Sequence, residues 1–573
     1  MPEYNSILVP ILLLIPLVGA VTGALLKSDR QAKIWAFIVS LATFGVAVAM
    51  AVQLYGVGAE SSWDHVVALG YRPEHFQIPS LHFGFNLHVD VIGLWLTLLT
   101  TFLMPLTIAF SMGSIHERQR EFYAWMNALL FTMLGVFVSG DLLLFYFFFE
   151  LTLVPMFFII GVWGGTQRRY AAAKFFLFTF TGSIFTLAAA IYVGMRANSF
   201  DIAQVIYFAQ HNLTQFERWW VVLGFLIGFA VKVPLFPVHT WLPLAHTEAP
   251  TPGSVILAGV LLKLGTFGLL RLALPIGVMH AGGVAFSGLV HFVGVICIIG
   301  VIYAALVAWV QPDIKKLVAY SSVSHLGFCV LGLFALNEIG MEGSVLYMIN
   351  HGLSTGAMFL VIGMIYDRYH TRDINELSGL AKRMPILAFF FVFFVMASIG
   401  LPGLNGFWSE FLTILGAFTS DNLGPAYGAF AALGIILGAV YMLHMTARVI
   451  WGPLKTPAVH GAAHSHAPTG GDAHGHALAE AHTNHPGDIN GREIAILIPI
   501  ALAIIVLGVK PGVVTDHMLK PVQEVLNPVL QPKNPLRIPT GDVDEAAPAT
   551  QPATGVTSTR LKASAALASA ARH

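Results

Sequence analysis

The apolar runs of this chain constrain its fold more than any other feature of the sequence. Fourteen such runs follow one another along the 573 residues, and most are close to the roughly 20 residues that a helix needs to cross a bilayer. They lie near residues 7–26, 34–55, 91–112, 122–139, 141–163, 171–195, 220–242, 253–273, 285–309, 314–336, 342–366, 385–418, 425–451 and 492–509. Only 10% of the residues are charged, against about 25% in soluble domains. The sequence therefore predicts an all-α polytopic membrane protein with about fourteen transmembrane helices.

Two of the predicted helices contain a break. In the seventh helix, Lys232 comes shortly before Pro234 and Pro237, and each proline removes a backbone donor and obstructs the preceding turn. The twelfth run is too long for one straight helix and has Pro402 in its middle. A broken helix persists at membrane depth only where it lines a cavity or packs within protein. A charge beside such a break is typical of an ion or substrate path.

The breaks also indicate an internal repeat. Helices four to eight include a charged fifth helix and a broken seventh, whereas helices nine to thirteen include a His-bearing tenth helix and a broken twelfth. An offset of five helices is odd, so equivalent helices run in opposite directions across the membrane. The sequence predicts two inverted five-helix repeats, helices 4–8 and 9–13, with helices 7 and 12 broken.

We predict six segments along the chain. They are 1–120 (three N-terminal helices with an external β-hairpin loop), 121–275 (first repeat), 276–452 (second, inverted repeat), 453–491 (His-rich cytoplasmic linker), 492–530 (last helix and an amphipathic C-terminal segment) and 531–573 (disordered tail). The histidines at 458–490 permit a metal site. Their irregular spacing and the lack of a nearby cysteine favour a linker instead, so we predict no metal.

The distribution of Lys and Arg predicts the orientation in the membrane. The loops that follow odd-numbered helices are rich in these residues, for example Lys27 and Arg30 after the first helix and Lys315 and Lys316 after the ninth. Loops rich in Lys and Arg stay in the cytoplasm. We therefore predict that both termini lie on the side of the membrane opposite the cytoplasm.

Eight titratable side chains lie in or beside the predicted helices. They are Glu150, Lys232, Lys263, His325, His351 and Glu410 within the helices, and His239 and His246 after the first break. A lone histidine there is more often a hydrogen-bonded structural group. Charged groups inside a bilayer cost several kcal/mol and by default indicate a functional site. Glu150 and Lys232 have opposite charges that could share a buried contact, and imidazoles exchange protons near neutral pH. The set predicts a proton relay that ends at Glu410.

The sequence contains no evident binding site for a redox cofactor or a nucleotide. Cys297 and Cys329 are the only cysteines, whereas an iron–sulfur cluster of the usual kind needs four thiolates. Neither a Gly-x-Gly-x-x-Gly motif after a strand nor a phosphate-binding P-loop occurs. The formal net charge of zero argues against a nucleic-acid partner. The predicted surroundings are the lipid bilayer.

Three stretches resemble the antiporter-like, proton-translocating subunits of respiratory complex I, the NADH:quinone oxidoreductase. They are KVPLFPVHTWLPLAHTEAPTPGSVILAGVLLKLGTFGLLR, QPDIKKLVAYSSVSHLG and GLPGLNGFWSEF, and the resemblance covers about 90–451. It implies a non-redox translocase subunit, with a proton channel driven by quinone reduction elsewhere. FMN, iron–sulfur clusters and quinone would belong to partner subunits, and the neighbours would be the antiporter-like chains L and N.

The resemblance also assigns roles to the predicted site residues. It makes Glu150 and Lys232 the charged pair, Lys263 the central lysine, His325 and His351 the central histidines, and Glu410 the terminal proton carrier. The sister chains L and N carry a lysine on the twelfth helix, so Glu410 favours a different branch of the family. The His-rich segment departs from the family pattern and receives no role.

Two alternatives remain open from the sequence. The first is a subunit of an Mrp-type Na⁺/H⁺ antiporter or of a membrane-bound hydrogenase, whose large subunits are related to this family. The second is a membrane scaffold whose polar side chains only hold helices together. Glu410, in place of a lysine, favours the complex I interpretation over the antiporter.

Overall fold

The computed structural model describes residues 3–60, 67–73, 77–78, 83–277, 287–457 and 486–530 of the chain. Most of the predicted His-rich linker and all of the predicted tail at 531–573 lie outside the described residues. The described part is mostly helical, which confirms the predicted class of all-α membrane protein.

Thirteen helices precede residue 278. They are α1 (Leu8–Leu25), α2 (Asp29–Glu60), α3 (Val91–Ser114), α4 (Gln119–Phe137), α5 (Leu142–Leu151), α6 (Leu153–Trp163), α7 (Arg168–Ala197), α8 (Ile202–Asn212), α9 (Gln215–Lys232), α10 (Trp241–Glu248), α11 (Thr251–Ile256), α12 (Leu262–Gly268) and α13 (Leu274–Gly277). Two π-helical turns, Leu257–Leu261 and Leu269–Ala273, join the last three of these helices.

Nine further helices follow residue 286 in the described part of the chain. They are α14 (Ser287–Trp309), α15 (Ile314–Phe334), α16 (Glu338–Tyr369), α17 (Pro385–Ser398), α18 (Asn405–Phe418), α19 (Pro425–Val449), α20 (Gly491–Val509), α21 (Gly512–Thr515) and α22 (Leu519–Leu530). A short 3₁₀ turn, Leu380–Lys382, precedes α17.

Short strands form two small sheets outside the helices. In the larger sheet, β2 (Ala68–Tyr71) pairs in parallel with β1 (Glu3–Asn5) and antiparallel with β5 (Leu87–Val89). The smaller sheet is the antiparallel pair of β3 (Gln77–Ile78) and β4 (Phe83–Gly84). Strands therefore occur where the sequence predicts a hairpin loop, and one of them also pairs with a strand at the N-terminus.

Each of the fourteen predicted runs coincides with helix in the described residues. Eleven helical stretches are long and apolar enough to cross a membrane. The other three runs correspond to α4, to α9 with α10, and to α17 with α18. The number of helices that cross the bilayer stays a prediction.

The two predicted breaks are present, and a third occurs in the fifth run. The chain leaves helix between α9 and α10 and again between α17 and α18. The fifth run is interrupted at Thr152, where α5 ends and α6 begins. Pro155 has no N–H to donate to the carbonyl of Leu151, four residues before it, so the helix lacks one backbone hydrogen bond here, although Thr152 keeps helical dihedral angles.

Two backbone bridges have matching positions in the two predicted repeats. Asp141 pairs with Asp201, and Asp313 pairs with Asp373, so each member of the second bridge lies 172 positions after its counterpart. Asp141 accepts hydrogen bonds from the first turn of α5, and Asp313 does the same for α15. These helices begin the predicted fifth and tenth runs. The correspondence supports the predicted repeat at the level of single residues.

The backbone hydrogen bonds of the two bridges also match. In the first bridge, the N–H of Leu142 donates to Phe200 O at 2.7 Å and that of Ile202 to Gly140 O at 3.0 Å. In the second, the equivalent bonds join Ile314 to Arg372 at 2.9 Å and Ile374 to Pro312 at 2.8 Å.

Close packing between α7 and α9 fixes the helix that carries Lys232. A Cβ atom added at Gly228 would lie 1.9 Å from Thr186 Oγ1 and 2.9 Å from the carbonyl oxygen of Gly182. The two backbones therefore approach each other as small residues allow in membrane helices. This contact sets the position of the last turn of α9.

Candidate functional site

Lys232 is the last residue of α9, and its ammonium is held by protein. Its side chain is buried, and Nζ donates a hydrogen bond to Thr152 Oγ1 at 3.1 Å. Nζ also lies 4.7 Å from the centre of the Phe149 ring, in the range of a cation–π contact. Trp241 Nε1 donates to Val231 O at 2.9 Å beside the break. The predicted association of Lys232 with a helix break is therefore present.

Glu150 lies just before the break at Thr152, but it forms no direct ion pair with Lys232. Neither carboxylate oxygen has a hydrogen-bond partner among the described residues, although Ser183 lies nearby. The ammonium of Lys232 binds Thr152 instead, and the two charges interact through space. The predicted shared contact is thus wrong in its geometry, because Thr152 occupies the position of the partner. Burial of this carboxylate is costly unless a partner compensates it, and Ser183 and Lys232 are the neighbours that lower this cost.

Lys263 lies on α12, directly after a π-helical turn. In this turn one backbone carbonyl accepts a hydrogen bond from the lysine side chain. The N–H of Leu262 bonds Leu257 O, five residues back, rather than Ala258 O. Lys263 Nζ donates to that carbonyl of Ala258, and the whole side chain is fully buried. π-Helical turns are rare and are frequent at functional sites. The turn therefore gives the ammonium a backbone ligand deep in the protein.

The same ammonium contacts His351 on α16. Lys263 Nζ lies 2.7 Å from His351 Nδ1. An ammonium has donors only, so Nδ1 accepts and the proton of the neutral ring lies on Nε2. His351 Nε2 has no partner among the described residues. Lys263 and His351 therefore form a buried donor–acceptor pair between the two predicted repeats.

His325 on α15 continues the row towards Glu410. The ring centres of His325 and His351 are 5.7 Å apart. His325 Nδ1 lies 2.6 Å from the hydroxyl of Tyr347, which donates to Glu410 Oε1 at 2.9 Å. The direct distance from His325 Nδ1 to Glu410 Oε1 is 3.4 Å, and Tyr441 OH lies 3.5 Å from Nε2. Four of the predicted residues therefore lie in one buried row.

Glu410 follows the second break, on the first turns of α18. Its carboxylate is buried, and Oε2 lies against Gly400 in the break, where a Cβ atom would come within 2.6 Å of it. Gly400 has φ +74°, a left-handed conformation that costs other residues about 1–2 kcal/mol. The break thus provides both the turn and the space for the Glu410 carboxylate.

We expect Gly400→Ala to reduce proton transfer at Glu410 by about tenfold, since a displaced carrier raises the barrier by about 1.4 kcal/mol. The added methyl group would push the carboxylate away from Tyr347. Gly403→Ala is the matched control, because Gly403 has φ +92° in the same break but no atom within 4 Å of its Cβ position. Proton uptake into sealed membrane vesicles that contain each variant measures both. Equal losses in the two would show that backbone strain alone is responsible.

The two secondary histidines lie in different surroundings. His246 on α10 is fully buried, its ring stacks on Phe359 at 4.7 Å, and neither nitrogen has a partner among the described residues. It interacts electrostatically with Lys263 and His351. His239 packs among aromatic rings near Phe236 instead. The structure therefore places His246, but not His239, beside the central row.

A buried lysine and a partly buried arginine stabilise the C-terminal end of α10. Lys315 Nζ donates to Ala249 O, and Arg372 Nη1 donates to Thr247 O at 2.5 Å. Cations favour the negative end of a helix dipole. Together with Glu248 these two residues line a cavity of about 170 Å³. Lys315, which served as a loop charge in predicting orientation, is thus a buried helix cap.

The sequence analysis missed Tyr347, Tyr441 and Thr152. Tyr347 lies four residues before His351, which places both on one face of a helix, and this spacing was the available signal. Tyr441 and Thr152 carry no comparable signal, because a hydroxyl in an apolar helix usually bonds to its own backbone. No group of three His, Cys, Asp or Glu side chains in the described ranges is arranged to hold a metal ion.

Comparison with known proteins relates this chain to one family. The family described as "NADH:quinone oxidoreductase/Mrp antiporter, TM" matches residues 139–426. NADH-quinone oxidoreductase subunit M of Rhodobacter capsulatus is 40% identical over 525 residues, which cover 89% of this chain and 94% of that one. NADH-ubiquinone oxidoreductase chain 4 of Arabidopsis thaliana is 36% identical over 88% of this chain and 94% of its own.

Solved structures contain the same fold. A chain of respiratory complex I from Thermus thermophilus superposes with a TM-score of 0.76 at 27% identity, over 91% of this chain and 99% of that chain. A chain of the Mrp complex from Dietzia gives a TM-score of 0.74 at 20% identity, over 92% and 100%. The second likeness concerns the fold alone. Both are consistent with a multi-pass membrane protein.

Proposed function

Since the chain belongs to the NADH:quinone oxidoreductase/Mrp antiporter transmembrane family, we propose that it is the membrane-arm subunit of complex I that its relatives call subunit M or chain 4. In this function it translocates protons and carries out no redox chemistry itself. Quinone reduction in other subunits drives the transfer, and FMN and iron–sulfur clusters belong to those subunits. The neighbours are antiporter-like chains L and N.

The observation that carries this proposal is the buried row from Lys263 to Glu410. It links the predicted first repeat to the break of the second through His351 and His325. Direct contacts join Lys263 to His351, and His325 to Tyr347 and Glu410. The ring centres of the two imidazoles are 5.7 Å apart, and His351 Nε2 has no protein partner in the described part of the chain.

Glu150 and Lys232 control the supply of protons to this row. While Glu150 is ionised it favours the ammonium of Lys232, and when Glu150 takes a proton that support is lost. A pair at 4 Å is worth about 4 kcal/mol at an effective dielectric constant of about 20, so this more distant pair is worth less. Each 1.4 kcal/mol is a factor of about ten in a proton equilibrium. A change in the charge of Glu150 therefore shifts the proton equilibrium of Lys232.

We expect Glu150→Gln and Lys232→Ala each to lower proton pumping and coupled quinone reduction by about tenfold, a loss of about 1.4 kcal/mol at the rate-limiting transfer. Lys232→Arg should keep part of the activity, because guanidinium keeps the charge but does not release its proton. NADH-driven acidification of inverted membrane vesicles measures pumping, and flavin content measures assembly. Normal turnover with normal proton stoichiometry in the first two variants would favour the scaffold alternative.

The antiporter alternative is tested by what purifies with the chain. Complex I requires that FMN, iron–sulfur clusters and NADH oxidation purify with it, whereas an Mrp-type assembly exchanges Na⁺ for H⁺ without them. Glu410 and the identity with subunit M and chain 4 support the first outcome. Preparations that lack any NADH-oxidising arm would refute it.

The same proposal includes the location and division of the chain. The chain lies in the bacterial inner membrane with both termini in the periplasm, as its loop charges predict. The six predicted segments remain the proposed division. Cysteine labelling of the loops at 115–118 and 198–201 from either side of sealed vesicles would test the orientation, since the two loops should react from opposite faces.

A further inference from the structure

The hydroxyl of Tyr347 lies between His325 and Glu410 and contacts both. It is 2.6 Å from His325 Nδ1 and donates to Glu410 Oε1 at 2.9 Å. The three residues come from α15, α16 and α18 and are all buried. The contact with His325 is slightly shorter than a usual N–H···O hydrogen bond, and the contact with Glu410 is within the usual range for O–H···O. The direct 3.4 Å from His325 to Glu410 is long for a hydrogen bond.

The hydrogen count at the phenol gives this contact a direction. A phenol has one proton, and here it is donated to Glu410. The contact with His325 must therefore use a proton on His325 Nδ1. The other nitrogen, Nε2, faces away from Glu410, with Tyr441 OH at 3.5 Å. His325 is thus arranged to receive a proton at Nε2 and to release one at Nδ1.

We propose that Tyr347 is a proton-carrying residue of the row, a role that rests on the proposed function. The N–H bond at His325 Nδ1 breaks as an O–H bond forms at the phenol oxygen. The original O–H bond of the phenol breaks at the same time, as one forms at Glu410 Oε1. Tyr347 is a neutral phenol before and after, and one positive charge has moved from His325 to neutralise Glu410. Rotation of the hydroxyl then returns the phenol to its starting orientation. The row is reset when Glu410 releases its proton and His325, now protonated at Nε2, exchanges that proton for one at Nδ1.

A purely structural role for the hydroxyl is weakened by a second connection between the same helices. Asn350 Nδ2 donates to Asn405 O at 2.7 Å, and Asn405 Nδ2 donates to Asn350 O at 3.2 Å. This reciprocal pair already holds α16 against the start of α18, less than one turn from Tyr347. Loss of one phenol hydroxyl should therefore leave the helices in place.

The test is Tyr347→Phe in the complete complex within sealed membrane vesicles. We expect NADH-driven proton pumping to fall about tenfold. This is less than the 10²–10⁴-fold loss, roughly, that follows complete removal of an acid–base group, because the long direct contact between His325 and Glu410 remains. The kinetic isotope effect in D₂O should increase, since proton transfer becomes rate-limiting. If the Tyr347 hydroxyl only held helices together, Tyr347→Phe would leave the isotope effect unchanged.

The matched control is Tyr427→Phe. Tyr427 OH also lies beside a histidine, 3.4 Å from His291 Nδ1, but in an exposed position outside the row. The chemical change is identical, and we expect pumping and isotope effect to stay at the wild-type values. A fall in both variants to the same level would overturn the assignment of Tyr347.

Fluorinated tyrosines at position 347 provide a second readout that retains the hydroxyl. Fluorine makes the phenol more acidic with little change in size, so a carrier should change its rate by about twofold or more under the Brønsted dependence of proton transfer. A rate independent of phenol acidity would overturn the proposal. This series decides the question if Tyr347→Phe fails to assemble, as judged by flavin content.

Glu410→Gln in the same membranes separates failure of this inference from failure of the proposed function. If Tyr347→Phe pumps normally while Glu410→Gln does not, the relay stands and only the assignment of Tyr347 is wrong. If both pump normally, the buried row carries no protons and both proposals are wrong.

Discussion

Glu410→Gln is expected to abolish proton transfer through this chain while the complex still assembles. Glutamine has the same shape, and its carbonyl can still accept the hydrogen bond of Tyr347. An amide cannot take up a proton, so the row loses its terminal carrier. We expect coupled quinone reduction to fall by about 100-fold, the lower end of what a removed acid–base group costs. NADH oxidation by inverted vesicles and acidification of their lumen measure this result.

Glu342→Gln is the matched control for that variant. Glu342 is a partly buried carboxyl on α16, and its electrostatic neighbours are Glu338 and Asp516 rather than the row. The same chemical change there should leave pumping within about twofold of wild type, as expected for a residue outside the path. Wild-type pumping by Glu410→Gln would contradict the relay.

Lys263→Met is expected to disconnect the two predicted repeats. Methionine approximates the length of the lysine stem, but it removes the donor to Ala258 O and the contact with His351. We expect pumping to fall by about 100-fold, as for loss of an acid–base group. The unsatisfied carbonyl should also cost about 1–3 kcal/mol of stability. Vesicle acidification and thermal inactivation of the purified complex measure the two effects separately.

Lys315→Met separates these two consequences. Lys315 is also a buried lysine whose ammonium donates to a backbone carbonyl, that of Ala249, but it lies outside the row. We expect a similar loss of thermal stability with pumping per assembled complex retained. Lys263→Arg should assemble normally. It should pump poorly, because guanidinium keeps its proton. Normal pumping by Lys263→Met would disprove the link through His351.

The helices of this protein were predictable because each one leaves a long apolar run in the sequence. Two of the breaks were also predictable, since Lys232 and Pro402 stand out within such runs. The break at Thr152 was missed although Pro155 is visible, because the apolar run continues through it. The π-helical turns beside Lys263 leave no signal in composition, as they depend on which carbonyl each amide reaches.

The candidate site was predictable in its residue types more than in its contacts. Charge in an apolar run identified Glu150, Lys263 and Glu410, since few other residues there carry a charge. The approach of Glu150 to Lys232 through Thr152 depends on distances that sequence does not contain. Tyr347 was missed because an aromatic residue in a membrane helix is usually read as packing.

The paired backbone bridges at Asp141 and Asp313 have a consequence for movement. Their hydrogen bonds join main-chain groups, which do not titrate. Each bridge therefore holds two backbone segments together at one end of its half. In the predicted orientation the two bridges lie at opposite faces of the membrane. We expect any opening in each half to occur at the end without the bridge. Water would then reach the first half from the cytoplasm and the second half from the periplasm.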